Sequence, residues 1–330
     1  MTSSVAENSK LGASSSVFSR SPACAFGVLV AVNAMWAFQF TGARIAAREL
    51  NPVLVTLLPL AIATLLVFPF CLPVALLFSK AHRFLLLDIF LLGTFGIVPA
   101  QLGLVFGVAR TLASNASVLS LTVPILMAVS AVIFLGEQMT RMRWASFVVA
   151  LVGVALVSAN DLGQSQLFRG EYVVGNALVL VCCAGSAFYN SYSRRALALL
   201  SPAQVLVFSF LVADAELLLL SLFYANGGWH QLGHLAAGVW WSLGLVAFFS
   251  LGASMLLYFA VIQNIEVMRA SLSIYLLPVF GLIFSGIILG EKLTAPQIGG
   301  SCLIFVSSFL IIWQDGRQKR STPEEALAKF

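Results

Sequence analysis

The sequence predicts an all-α integral membrane protein with ten transmembrane helices, arranged as two inverted five-helix repeats. Three observations lead to this fold class. Of the 330 residues, 60% are hydrophobic and only 9% are charged, against about 45–50% and about 25% in soluble domains. Apolar runs of about 20 residues, long enough to cross a hydrocarbon core roughly 30 Å thick, recur from end to end. In addition, one apolar segment occurs twice.

The apolar runs divide the chain into ten candidate helices. Residues 1–21 are rich in serine and poor in apolar residues, which predicts a disordered tail. The first run is too long for a signal-peptide core and lacks a small-residue cleavage site, so we expect an uncleaved first span. The predicted helices are 22–45, 52–78, 84–108, 112–135, 143–160, 171–195, 202–224, 238–262, 267–289 and 296–313.

Lysine and arginine lie mostly at the termini and in the loops on one side of the predicted membrane. Cytoplasmic loops retain positive charge, so this bias sets the orientation and predicts that both termini are cytoplasmic, including a tail of residues 316–330. The net charge of +5 is scattered rather than gathered into a patch, and no nucleic-acid partner is expected. The expected surroundings are a lipid bilayer.

The repeated segment begins at a proline and ends in Leu-Gly-Glu. It runs from Pro124 to Glu137 and returns from Pro278 to Glu291. The first and sixth spans correspond as well, through the pairs Ala34/Ala184, Phe38/Phe188, Arg44/Arg194 and Pro52/Pro202. The predicted units are 22–161 and 162–315, and because five is odd, the second enters the membrane from the opposite side. Inverted repeats are typical of secondary transporters.

Two motifs carry a family resemblance. Trp36-Ala-Phe-Gln-Phe40-Thr-Gly-Ala-Arg44 resembles the Trp-Gly-x-x-Phe-x-x-x-Lys opening of the drug/metabolite transporter superfamily, in its EamA-like branch, and the Leu-Gly-Glu segments resemble the end of each EamA unit. The resemblance implies ten helices, a bacterial inner-membrane location and export of small metabolites or amino acids through a central cavity. The chain departs from the pattern at Ala37, where glycine is usual, and near Pro59, where an arginine is often found.

A transporter site is expected where polar and aromatic side chains share a helix face near mid-membrane. The first and sixth spans each present such a face at helical spacing. The candidate substrate-binding residues on these faces are Asn33, Trp36, Gln39, Phe40, Ser186, Tyr189 and Asn190, and a second set comprises Gln101, Tyr258, Ser271 and Tyr275. Amide and aromatic groups suit zwitterions or moderately apolar small molecules better than phosphates. The alternative for each residue is that it merely joins helices.

Asp214 and Glu216 lie within the seventh predicted span, where an ionised carboxylate costs at least about 2.5 kcal/mol unless it is paired or hydrated. Asp214 is nearer the middle, and we predict that it couples transport to protons or contacts a substrate amine. The alternative is a neutral acid hydrogen-bonded between helices. Glu137 and Glu291, at helix ends, are expected to anchor a loop or pair with a base. The glycine pairs Gly103/Gly107 and Gly286/Gly290 are expected at close helix contacts.

Other functions fit the sequence less well. An exchanger of sugar phosphates or nucleotide-sugars would need basic side chains deep in the cavity, and the basic residues lie toward helix ends. A polytopic membrane enzyme would have to use His230 and His234, which lack a third metal ligand nearby. No metal, cofactor or catalytic residue is therefore predicted, and the oligomeric state, the coupling ion and the exact substrate stay open.

Overall fold

The computed structural model of the protein describes residues 22–71, 83–135, 170–225, 228–262, 276–292 and 298–303, with isolated residues in 141–156 and 273–306. Every regular element within this part of the chain is helical. Both predicted tails lie outside the described residues. Most of the predicted fifth and tenth helices lie outside them as well, but the positions of these two helices that are described, among them 144–145 and 298–303, are helical.

Eight apolar helical elements form the described part of the bundle. In chain order they are α1, Pro22–Ala46; α2, Pro52–Val67 with the 3₁₀ turn Phe68–Cys71; α3, Arg83–Leu91, Leu92–Ile97 and Val98–Val108; α4, Ala113–Leu119, Ser120–Thr122 and Val123–Leu135; α5, Glu171–Leu197; α6, Pro202–Tyr224; α7, Ala237–Leu245, Val246–Ala253 and Ser254–Ile262; and α8, Leu276–Phe284 with Ser285–Leu289.

Six of these helices, within the described residues, are long and apolar enough to cross a membrane: α1, α2, α3, α5, α6 and α7. The apolar part of α4, Ala113–Met127, and α8, Leu276–Leu289, are shorter. Large apolar side chains such as Phe70, Leu222 and Trp241 point outward. A water-soluble protein would bury most of this surface, so its exposure fits a bundle surrounded by lipid.

Helix starts follow local sequence chemistry. Asn51 caps α2 by accepting a hydrogen bond from the Val53 N–H at 2.9 Å, and Pro52 takes the first helical position. Ser201 caps α6 in a reciprocal arrangement with Gln204, again before a proline. Proline fits this position because the first helical N–H groups have no partner within the helix.

Glycines set the close approach of α3 and α5. A Cβ atom on Gly103 would lie 2.6 Å from the Leu178 carbonyl oxygen, and one on Gly185 would lie 2.8 Å from the Gly96 carbonyl oxygen. The backbones of the two helices therefore touch, as small residues permit between membrane helices. The predicted helix contact at Gly103 and Gly107 is confirmed. The one predicted at Gly286 and Gly290 is wrong for the described residues, because a Cβ atom at either glycine would meet no atom of another described helix within 4 Å.

Three helices contain a π-helical segment: Leu92–Ile97 in α3, Val246–Ala253 in α7 and Ser285–Leu289 in α8. Each widens the helix locally and rotates the following side chains relative to the preceding ones. In α3, Ala100, Gln101 and Leu104 follow this segment and line a cavity in the bundle interior.

Candidate functional site

A cavity of about 110 Å³ lies in the centre of the bundle, between α1, α3, α4, α5, α7 and the start of α8. Most of its wall is apolar, and its polar groups are amides and hydroxyls. The lining comprises Trp36, Gln39, Phe40, Ile97, Ala100, Gln101, Leu104, Ser120, Val123, Cys182, Cys183, Ser186, Tyr189, Asn190, Ser250, Leu251, Met255, Ile274 and Leu277. None of these described lining residues carries a formal charge at neutral pH.

The amides of Gln39 and Gln101 form a bridge across the cavity wall. Gln39 Nε2 on α1 donates to Gln101 Oε1 on α3 at 2.5 Å. The Gln39 side-chain oxygen, its second Nε2–H and both Nε2–H groups of Gln101 remain for other partners. This pair therefore presents both an acceptor and a donor to whatever occupies the cavity.

Asn190 supplies an acceptor without a partner. Its side chain is buried, and its Oδ1 atom has no hydrogen-bond partner among the residues that the structure describes. A buried, unpaired carbonyl oxygen loses its hydration without compensation. An N–H or O–H group of a ligand in the cavity would restore that bond.

Aromatic rings close one side of the site. The Trp36 ring lies 4.9 Å from the ring of Tyr258, centroid to centroid, at an angle of 58°. Tyr258 in turn contacts Phe259, and Phe259 contacts Tyr189. Trp36 is thereby held against a buried aromatic cluster, which fixes its position at the cavity edge.

The predicted site residues fall into three groups. Seven lie together in the cavity lining: Trp36, Gln39, Phe40, Gln101, Ser186, Tyr189 and Asn190. Tyr258 lies behind Trp36, and Asn33 is fully buried just outside the lining, where it donates to the Leu29 carbonyl and to Ser273 Oγ. Ser271 and Tyr275 lie outside the described residues.

Asp214 is not part of the cavity lining. Its Oδ2 atom lies 2.6 Å from Thr64 Oγ1 on α2, and its buried Oδ1 atom has no partner within the described part of the chain. Glu216, two residues further on, instead accepts a hydrogen bond from Thr94 on α3. The two acids of α6 thus face different neighbours, as their spacing predicts.

Sequence reasoning missed several members of the wall. Ser250 lies in an apolar run and looks like an ordinary helix residue, yet it lines the cavity and donates to the Met35 carbonyl at 2.5 Å. Cys182 and Cys183, which are not among the predicted site residues, also line the cavity. Their positions on the α5 face next to Ser186 were the available signal.

Comparison with known proteins places the chain among membrane transporters. The sequence model of the EamA-like transporter family matches residues 23–159 and again 173–313. An uncharacterized transporter of Archaeoglobus fulgidus is 24% identical over 289 residues, covering 86% of this chain and 97% of that protein. The uncharacterized transporter YoaV of Bacillus subtilis is 23% identical over 299 residues, covering 88% and 97%.

One solved structure has a similar fold. The crystal structure of a protein with 17% sequence identity superposes with a TM-score of 0.62 and covers 88% of this chain and 98% of the other. At this identity the likeness concerns the fold alone.

Proposed function

Because the chain belongs to the EamA-like transporter family, we propose that it is a secondary transporter that exports small metabolites, amino acids or related compounds, through its central cavity. The observation that carries the proposal is the uncharged wall of amides and aromatic rings between α1 and α5. The expected location is the bacterial inner membrane, with both termini in the cytoplasm and the Arg44 end of α1 facing outward.

The lining favours molecules without net charge. An amino-acid zwitterion would place its ammonium group against Asn190 Oδ1 and its carboxylate against the free N–H groups of Gln39 and Gln101. Its side chain would lie against Trp36 and the apolar wall. A phosphate would bring two negative charges into a cavity without a basic lining residue among those described, which argues against the sugar-phosphate exchanger.

The transport mechanism we propose is alternating access between two inverted five-helix units, residues 22–161 and 162–315, giving ten helices in all. The two separate matches of the family model support this division. The hydrogen bond between Thr64 and Asp214 also supports it, because these residues, 150 apart, are equivalent positions of the two copies. Equivalent residues can touch only near the two-fold axis that relates the units.

One pair of contacts away from that axis also supports the division, because the two contacts occupy equivalent positions of the two units. The Tyr192 hydroxyl on α5 donates to Asp88 on α3 at 2.7 Å. At the equivalent positions, Ser242 on α7 donates to the Gly42 carbonyl on α1 at 2.9 Å. Two units built this way can exchange conformations, so that one state opens the cavity inward and its counterpart opens it outward.

We further propose that Asp214 couples transport to protons. Thr64 Oγ1 lies 2.9 Å from the Leu60 carbonyl and 2.6 Å from Asp214 Oδ2, but a hydroxyl has only one proton to donate. If Thr64 donates to Leu60, the contact with Asp214 requires a protonated carboxyl; if the carboxyl is ionised, Thr64 donates to it instead. By rotating, the Thr64 hydroxyl can therefore pair with the Asp214 carboxyl in either protonation state, at the contact between the two units.

Overproduction in a bacterial host tests the export proposal. Cells carrying the intact protein should resist toxic analogues of the exported compound, and cells carrying Asn190→Leu should not, although both proteins reach the membrane in equal amounts. Absence of resistance to every compound in a panel of amino-acid analogues and other inhibitors, with no transport of a broad metabolite panel by vesicles, would contradict the proposal.

A further inference from the structure

A layer of charged and polar groups lies about one helical turn beyond the cavity, at the Arg44 end of α1. Arg44 Nη1 donates to the Val108 carbonyl at 2.5 Å and to the Thr111 carbonyl, so it holds the end of α3 and the connection that follows. Arg44 Nε lies 3.4 Å from Glu291 Oε1. The Glu291 side chain is only 7% exposed.

Glu291 also caps α4 from another part of the chain. Its Oε1 accepts from the Ala113 N–H at 3.1 Å and its Oε2 from the Ser114 N–H at 2.9 Å. The residue before this helix, Leu112, has no side chain that can cap it. The first N–H groups of a helix need external acceptors and favour a negative charge, and Glu291 meets both needs.

The backbone at the end of α8 brings Glu291 to this position. Gly290 adopts a left-handed conformation with φ of 69°, which ends the helix and turns the chain back. Next to these contacts, the Thr111 hydroxyl donates to Asn176 Oδ1 on α5 at 2.7 Å. The layer therefore joins α1, α3, α4, α5 and α8, five of the six helices that line the cavity.

We propose that Arg44 and Glu291 form the outer gate of the transporter and that the structure has this gate closed. The proposal rests on the proposed alternating access and orientation. Arg44 and the start of α4 belong to the first unit, whereas Glu291 belongs to the second. Opening this end by separating α8 from α4 breaks the bonds of Glu291 with the Ala113 and Ser114 N–H groups.

Two native cysteines provide the test. Cys182 and Cys183 line the cavity and are buried, so a membrane-impermeant maleimide reaches them only when an end opens. The protein to be used has its other cysteines, Cys24, Cys71 and Cys302, replaced by alanine, and is reconstituted in vesicles with its orientation determined by protease cleavage of a terminal tag.

Glu291→Gln removes the charge and one of the two acceptors for α4. We expect labelling from the Arg44 side to accelerate about tenfold or more, since differential contacts of this kind shift a two-state equilibrium by roughly 5- to 150-fold. The matched control is Glu171→Gln, which changes an exposed acid at the same end of the bundle and should leave the rate unchanged. Arg44→Lys, which keeps the charge but cannot hold two carbonyls and a carboxylate, should give an intermediate rate.

The outcomes of this experiment test the gate and the membrane orientation separately. Faster labelling from the side opposite to the predicted one would support the gate and overturn the proposed orientation. An unchanged rate from both sides, in Glu291→Gln or Arg44→Lys protein that retains its normal melting temperature, would overturn the gate. If charge exchange, Arg44→Glu with Glu291→Arg, restored slow labelling, the pair would be a plain ion pair and the assigned backbone contacts would be wrong.

Discussion

Replacing Asp214 by asparagine should abolish proton-driven accumulation while leaving the protein folded. An asparagine amide donates to Thr64 Oγ1 as a protonated carboxyl does, and Thr64 can still donate to the Leu60 carbonyl. The variant therefore resembles the protonated state permanently. Because the hydrogen bonds are kept, we expect the free energy of unfolding to change by less than about 1.5 kcal/mol.

The magnitude for transport follows from a single carboxyl. One proton moving across a pH difference of one unit releases about 1.36 kcal/mol, which sustains about a tenfold concentration ratio of a neutral compound. Reconstituted vesicles with an imposed one-unit gradient should reach that ratio with the intact protein. Vesicles with Asp214→Asn should only equilibrate the compound, to a ratio of about one.

Glu216→Gln is the matched control for this experiment. It changes an acid on the same helix, two residues away, whose partner is Thr94 rather than Thr64. Vesicles with this variant should keep the tenfold ratio. If Asp214→Asn vesicles also accumulate the compound tenfold under the same gradient, Asp214 is not the coupling residue.

Three further substitutions test the cavity and the packing. Asn190→Leu should lower transport at least about tenfold, because the variant loses about one hydrogen bond to the substrate. Ser193→Ala, on the same helix but outside the cavity lining, should leave transport unchanged. Equal activity of the two variants in counterflow would refute the role of Asn190. Gly103→Ala should lower the free energy of unfolding by about 1–3 kcal/mol because its Cβ would overlap the α5 backbone. Gly244→Ala, at a position with open space around it, should raise the free energy of unfolding by about 0.5–1 kcal/mol. Similar denaturation curves of the two variants in detergent would contradict the packing of α3 against α5. Gly290→Ala should cost about 1–2 kcal/mol because of its left-handed backbone, and an unchanged melting temperature would contradict that conformation.

The parts of the site that could be predicted are those encoded on single helices. Spacing of three to four residues places Trp36, Gln39 and Phe40 on one face of α1, and Ser186 and Asn190 on one face of α5. Because these faces carry amide and hydroxyl groups, they are expected to turn away from lipid. The structure brings both faces to the same cavity.

The remaining features depend on how helices cross, which local sequence does not encode. Ser250, which lines the cavity, lies within the π-helical segment of α7, where the regular helical spacing of side chains is interrupted. Asp214 meets Thr64 instead of the cavity because α6 packs against α2. The repeat in the sequence located the Glu291 motif, and the sequence predicted an anchoring role for this residue. Identifying its partners, Arg44 and the start of α4, required the tertiary structure.

Counterflow in vesicles tests the central claim most directly. Vesicles containing the purified protein are loaded with one unlabelled compound from a panel of neutral amino acids and related metabolites, and uptake of the same labelled compound is measured. We predict transient uptake above the equilibrium level for at least one compound, and its loss when Gln101 and Asn190 are both replaced by leucine. Counterflow that survives this double replacement, or its absence for every compound in the panel, would contradict transport through the central cavity.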